Sequence, residues 1–173
     1  CPVVATDKNE DGGIVSQIYP RCIGCRYCMA SCPYHARYFN WYDPKWPGDL
    51  DRTLTPDVST RPRGVVEKCS FCHHRWMHAK DAAILKGEDP MDLPDGAYIT
   101  ACTEACPNGA ITFGDLNNPK HKVYELRQSP HAFRLLERLG TEPQVYYLSK
   151  REWVRRQGDN YLEHEATGDN KKV

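Results

Sequence analysis

Four cysteines near the start of the chain constrain its fold more than any other feature. Cys22, Cys25, Cys28 and Cys32 are separated by two, two and three residues, and Pro33 follows. This C-x2-C-x2-C-x3-C-P spacing is typical of loops that hold cubane iron–sulfur clusters. Three thiolates on one tight loop can reach three corners of a cube, and the fourth cysteine opens the next element and ligates another cluster. The run therefore predicts an iron–sulfur protein.

Composition limits the other classes of function. A chain of 173 residues with no net charge has no basic excess that would indicate binding to nucleic acid. Its apolar runs are far shorter than a transmembrane span, so a partner would have to supply any membrane anchor. Thirteen prolines and twelve glycines predict a loop-rich fold in which metal ligands provide much of the order.

The number of cysteines argues against a disulfide framework. Nine is an odd number, whereas secreted disulfide scaffolds favour even numbers. Eight of the nine fall in recognisable cluster motifs. The ninth, Cys1, is followed by Pro2 as at the end of a cluster motif, so we expect a fragment with further cysteines upstream.

A phrase of five residues that begins Cys-Pro and ends in Ala occurs three times, at Cys1–Ala5, Cys32–Ala36 and Cys106–Ala110. Short strands are predicted after the last two, at Arg37–Trp41 and Ile111–Phe113. A second phrase, rich in glycine and valine, precedes the cluster loops at residues 13–15 and 64–68. The recurring order of strand, cluster loop, Cys-Pro turn and strand is the half-unit of a ferredoxin.

The intervening segments have their own signals. Tyr42–Arg63 contains four prolines and is predicted to be an irregular surface loop. Arg75–Lys86 has helical composition and ends at Gly87, a candidate C-cap. A helix is predicted from Ser129 to Gly140 on its leucine stripe, followed by a strand over Gln144–Leu148.

The sequence predicts an α+β fold of tandem bacterial-ferredoxin-like modules with long insertions and a C-terminal helix–strand extension. The cluster-binding domain would cover residues 1–128, and residues 129–173 would pack on it or on partners.

Two other chemistries compete at Cys69. Cys69-Ser70-Phe71-Cys72-His73 also matches C-x-x-C-H, the attachment motif of c-type haem, with His73 as axial ligand. That interpretation leaves Cys102 and Cys106 without a role. A zinc site formed by Cys69, Cys72, Cys102 and Cys106 is the other alternative, although zinc does not require the repeated Cys-Pro turn.

The polar residues His73, His74 and Arg75 have two interpretations. They would raise the reduction potential of a nearby cluster through positive charge and N–H donors, or they form a solvated patch. We find no nucleophile–base pair in the sequence, so the chain is expected to transform no substrate itself.

Several stretches together resemble the iron–sulfur subunits of oxidoreductases of the dimethyl-sulfoxide-reductase and polysulfide-reductase type. Within that family, the phrase Arg37–Trp41 looks most like the B subunit of bacterial alternative complex III. The resemblance extends over residues 1–148 and is carried by Cys22–Pro33, Ala36–Trp41, Lys68–Arg75, Cys106–Leu116, Phe133–Leu136, Leu139–Pro143 and Val145–Leu148.

The resemblance implies two fused ferredoxin modules with four clusters. Upstream cysteines would complete the clusters served by Cys32, by the Cys69 unit and by Cys106, and some family members carry one 3Fe–4S cluster. A simpler two-cluster arrangement pairs Cys32 with the Cys69 unit and Cys106 with the Cys22 unit, which leaves Cys1 unused. The implied ligand sets are Cys1, Cys22, Cys25 and Cys28 for one 4Fe–4S cluster, Cys32 for a second, Cys69, Cys72 and Cys102 for a third, and Cys106 for a fourth.

The resemblance also implies a function. The chain would transfer electrons through 4Fe–4S clusters, from quinol at an integral-membrane subunit to cytochrome c subunits. A molybdopterin-like domain would lie upstream, and the protein would sit peripherally on the periplasmic face of a bacterial inner membrane. An iron–sulfur subunit of a polysulfide-, nitrite- or dimethyl-sulfoxide-reductase complex would use the same clusters in the direction of reduction.

Overall fold

A computed structural model describes residues 1–8 and 13–159. Its contacts divide the chain into two compact units, Cys1–Ile111 and Thr112–Val173. All nine cysteines belong to the first unit. The functional division into a cluster-binding domain over 1–128 and an extension over 129–173 stays a prediction.

Short antiparallel strand pairs frame the cysteine loops of the first unit. The pairs are β1 (Thr6–Lys8) with β2 (Val15–Gln17), and β3 (Tyr38–Phe39) with β4 (Val66–Glu67). Strand β2 precedes the Cys22 loop and β4 precedes Cys69, as the two glycine–valine phrases predict. Strand β3 lies within the predicted stretch 37–41.

The helices of the first unit begin at or next to cysteines. They are α1 (Tyr27–Ser31), α2 (His73–Lys86) and α3 (Ala101–Glu104). The predicted helix over 75–86 is confirmed, and so is its end. Gly87 adopts the left-handed conformation at φ 75°, and its N–H donates to the carbonyls of the last turn.

The insertion over residues 42–63 is irregular, as predicted, apart from a short 3-10 turn at Leu50–Thr53. Its two ends are tied together where the backbone N–H of Arg63 donates to the carboxylate of Asp43 at 3.0 Å. A contact of 3.2 Å between Asp57 and His78 joins the loop to α2. The guanidinium carbon of Arg61 lies 5.1 Å from the ring centroid of Tyr19. The insertion is therefore a surface loop held at its base and through Asp57 and Arg61.

The second unit differs from its prediction. The helix expected over 129–140 is wrong, because Phe133 pairs with Tyr147 in a strand ladder and Leu136 takes the left-handed conformation at φ 53°. Only part of the expected strand over 144–148 forms. The elements are α4 (Lys122–Arg127), β5 (Ala132–Phe133), a 3-10 turn (Glu137–Leu139), β6 (Tyr147–Leu148) and α5 (Glu152–Asp159).

The prediction of a strand at Ile111–Phe113 is also wrong. These residues form no ladder in the described chain, and the Ile111 side chain is 44% exposed. Strand propensity alone cannot hold three residues extended without a partner strand.

Few apolar side chains are buried in the described residues. The buried hydrophobic residues are Ala5, Val65, Val66, Ala83 and Val123. A core of small residues contributes little hydrophobic free energy for a chain of this length. The loops that carry the cysteines therefore rely on local turns and hydrogen bonds.

Candidate metal centres

All nine cysteines lie within the described residues and carry free thiols. Some are half-buried and the others are exposed, so no thiol lies in an apolar interior. Over residues 1–8 and 13–159, no three His, Cys, Asp or Glu side chains are grouped to hold a single metal ion.

The three Cys-Pro phrases fold into the same turn. The third residue after each cysteine donates its N–H back to the cysteine carbonyl, at 3.5, 3.4 and 3.2 Å. Each of these residues has positive φ: Val4 at 49°, His35 at 50° and Gly109 at 58°. The internal repeat is thus a structural repeat of one turn, although only Gly109 carries a sequence signal for positive φ.

In the turns at Cys1 and Cys106, a backbone amide points toward the cysteine sulfur. Ala5 donates its N–H to Sγ of Cys1 at 3.2 Å, and Ala110 donates to Sγ of Cys106 at 3.3 Å. The Ala110 amide, helped by neighbouring amides, lowers the pKa of the Cys106 thiol. Amide donors favour the thiolate, which is the form that ligates iron.

The first cysteine loop is packed against the segment that leads to Cys69. Gly24 has φ 69°, and a Cβ atom added there would lie 2.2 Å from the carbonyl oxygen of Gly64. Two residues later, Val66 donates its N–H to Sγ of Cys22 at 3.4 Å. Only glycine fits at position 24, because the two backbones touch there.

Cys1 lies next to the first loop. A cavity of about 320 Å³ is lined by Cys1, Pro2, Cys25 and Tyr27. Two thiols from distant parts of the chain therefore face one space. The ligand set of Cys1 with Cys22, Cys25 and Cys28 and the two-cluster arrangement that leaves Cys1 unused both stay predictions.

The structure brings Cys102 to Cys72. The amide of Ala101 donates to Sγ of Cys72 at 3.3 Å, and the buried hydroxyl of Thr100 lies 3.1 Å from Sγ of Cys102. Cys69 receives the N–H of Phe71 at 3.4 Å. These contacts place the backbone beside Cys102 against Cys72, whereas the sharing of one cluster by Cys69, Cys72 and Cys102 stays a prediction.

An ion pair fixes the two helices that carry these cysteines. Arg75 of α2 donates to the Glu104 carboxylate of α3 at 2.7 Å and to the carbonyl of Ile99 at 3.1 Å. Tyr98 directly precedes Ile99 in the chain. Burial raises the pKa of the Tyr98 phenol, and the charge of Cys72 makes a smaller contribution in the same direction. Arg75 thus positions the segment that delivers Cys102.

Cys32 ends α1 in an extended conformation and donates its N–H to the carbonyl of Met29. The side chain of Lys68, just before Cys69, donates to the carbonyls of Val15 and Cys69. Burial is the main cause that lowers the pKa of this ammonium. Sequence reasoning missed the roles of Lys68 and Thr100, although both lie within two residues of a cysteine, and it missed the Gly24–Gly64 contact.

The free thiols, the amide donors to sulfur and the close backbone contact at Gly24 fit iron–sulfur clusters. The family model for a 4Fe–4S binding domain matches residues 17–38, which include the whole first motif. The 4Fe–4S cluster is therefore confirmed as the cofactor class.

Curated relatives match nearly the whole chain. It is 79% identical to the menaquinone reductase iron–sulfur cluster-binding subunit of Nitratidesulfovibrio vulgaris, over 95% of this chain and 65% of the relative. Identity is 43% to a putative dimethyl sulfoxide reductase iron–sulfur subunit of Halobacterium salinarum, over 86% of this chain and 48% of the relative.

An arsenate respiratory reductase iron–sulfur subunit of a Shewanella species is 31% identical, over 86% of this chain and 67% of the relative. The chain thus spans about half to two thirds of the length of these relatives. It belongs to the family of iron–sulfur subunits of oxidoreductases of the dimethyl-sulfoxide-reductase and polysulfide-reductase type.

Proposed function

We propose that this chain is the electron-transfer subunit of a menaquinone reductase complex. The observation that carries the proposal is the 79% identity to a menaquinone reductase iron–sulfur subunit, together with the 4Fe–4S match over residues 17–38. When bound, the clusters supply one-electron carriers. The residues of the chain hold them in place, and no group of this chain acts on a substrate.

Each loop contributes a defined part of that task. Amides at Ala5, Val66 and Ala101 donate to cysteine sulfurs and stabilise the ligating thiolates. The segment from Gly64 to Cys69 contacts the first cysteine loop and then supplies the first ligand of another set. This contact holds the two sets at a short, fixed separation, as electron transfer between them requires.

The partners are part of the proposal. An integral-membrane subunit would bind menaquinone, a molybdopterin-like domain or subunit would lie upstream, and cytochrome c subunits would exchange electrons with the complex. In the described part of the chain, no helix has the length and apolar character needed to cross a membrane. A peripheral position on the periplasmic face of a bacterial membrane completes the proposal.

A second candidate is quinol oxidation by a complex like alternative complex III, which is favoured by the phrase Arg37–Trp41. The two candidates share the same clusters and differ in the direction of electron flow. Assays of menaquinone reduction and of menaquinol oxidation, on one preparation of the anaerobically purified complex, distinguish them.

The ligand sets are tested by single Cys→Ser variants of the full complex. We expect Cys1→Ser and Cys25→Ser to abolish the same EPR signal and to remove one cluster's share of iron and acid-labile sulfide. Cys32→Ser should abolish a different signal. If Cys1→Ser retains every cluster signal, the two-cluster arrangement is correct; if the wild-type complex contains no labile sulfide, the proposed function fails.

A further inference from the structure

Arg26 lies between two cysteines of the first loop, directly after Cys25. It adopts the left-handed conformation at φ 61°, where it precedes helix α1. Its guanidinium carbon lies 5.3 Å from the ring centroid of Phe39 and 5.0 Å from that of Trp41. Both distances are within the range of cation–π attraction.

The two rings form a surface that faces this cation, which we name the Phe39–Trp41 shelf. Their centroids are 4.6 Å apart in an edge-to-face arrangement. Phe39 also packs against the loop itself, because its Cε2 atom would lie 3.2 Å from a Cβ added at Gly24. The shelf and the cysteine loop therefore form one packed unit.

The cation has no carboxylate partner within residues 1–8 and 13–159, where the ion pairs join other side chains. An arginine with a free side chain would move through solvent, and water and salt would screen its charge. Arg26 is exposed to solvent, but its guanidinium lies over two aromatic rings on the loop that carries three thiolates, so its charge has a defined position there.

Resting on the proposed function, we propose that Arg26 sets the reduction potential of the cluster bound by Cys22, Cys25 and Cys28. One-electron reduction adds one negative charge to that site. A fixed cation nearby stabilises the reduced state more than the oxidised state, so it raises the potential. The Phe39–Trp41 shelf acts through Arg26 by fixing the position of the charge.

The test is an EPR-monitored redox titration of the anaerobically purified complex carrying Arg26→Gln. We expect the equilibrium constant for reduction of this cluster to fall at least threefold. This lowers the midpoint by at least about 28 mV, since tenfold corresponds to about 59 mV for one electron. Because the effect is electrostatic, the difference from wild type should shrink as salt concentration rises.

Three further variants isolate the cause. Arg26→Lys keeps the charge and should restore most of the potential. Trp41→Leu keeps Arg26 but removes half of the shelf, and it should lower the potential by a smaller amount. Arg52→Gln removes an arginine in the insertion whose pair with Asp49 is 3.8 Å long and largely exposed, and it should leave the potential unchanged.

An unchanged potential in Arg26→Gln, with the cluster signal intact, overturns the inference. If Arg26→Gln loses the cluster, Trp41→Leu decides the question, and a wild-type potential in that variant rejects the role of the shelf and of the fixed charge. Absence of any cluster signal in the wild-type complex would instead reject the proposed function.

Discussion

Val66 donates its backbone N–H to Sγ of Cys22 across 3.4 Å, so strand β4 contacts the first cysteine loop directly. Val66 is the largest side chain that is completely buried in the described chain. Three residues later the same segment delivers Cys69. A disturbance at this contact therefore reaches two ligand sets at once.

Gly24→Ala tests this contact. The added Cβ would lie 2.2 Å from the Gly64 carbonyl, and φ at this position is 69°. We expect the variant to lose iron and labile sulfide from the first cluster. Gly48→Ala is a matched control, because it has a similar φ of 62° but no atom within 4 Å of the new Cβ. Equal iron content in the two variants would mean that the Gly24–Gly64 contact is unimportant.

Local sequence patterns predicted much of the site. Cysteine spacing predicted the cofactor class and named the candidate ligands, which stay a prediction, and Gly87 correctly marked the end of α2. The approach of Gly24 to Gly64 was not predictable, because it depends on two residues that are distant in sequence and share no motif. The same reason explains the missed contact between Cys72 and the amide of Ala101.

The failed helix at Ser129–Gly140 has a related cause. Its leucine spacing fits a helical stripe, yet Phe133 finds a partner in Tyr147, with ring centroids 5.7 Å apart. Cross-strand pairing of this kind outweighs local helix propensity, which is a weak preference. A pattern within one segment contains no information about such a distant partner.

Val4→Gly is expected to stabilise the protein. Val4 holds φ at 49°, a conformation that costs a β-branched residue about 1–3 kcal/mol. Glycine removes that strain but adds about 0.5–1 kcal/mol of unfolded-state entropy. The net gain in free energy of unfolding should be about 1 kcal/mol, measured by anaerobic guanidinium chloride denaturation.

The control is the reverse exchange in the equivalent turn. Gly109→Val should destabilise the protein, because φ there is 58° while no atom lies within 4 Å of an added Cβ. The effect at Gly109 is therefore purely conformational. If Val4→Gly is destabilising, the strain assigned to the turn is wrong.

Arg75→Gln should weaken the link between α2 and α3. The variant loses the ion pair to Glu104 and the hydrogen bond to the Ile99 carbonyl. Because both side chains are partly exposed, we expect a loss of only about 1 kcal/mol. Denaturation at low and high salt measures it, and the loss should be smaller at high salt. Arg52→Gln is the control, because the side chains of its ion pair with Asp49 are 78% and 81% exposed, and it should not change stability measurably. A similar loss in Arg52→Gln would show that the loss in Arg75→Gln does not come from the contacts to Glu104 and Ile99.

Tyr98→Phe should change the response of stability to alkaline pH. Burial chiefly raises the pKa of Tyr98 above its ordinary value of 10.0. Above about pH 10 the unfolded chain therefore releases this proton before the folded chain does, and folding stability falls as pH rises. Below that pH both states keep the proton, and the group makes no pH-dependent contribution.

Denaturation midpoints near pH 8 and near pH 11 should differ more in wild type than in Tyr98→Phe. The remaining tyrosines are common to both proteins and cancel in the comparison. Parallel losses in the two proteins would show that the phenol of Tyr98 titrates alike in the folded and unfolded states.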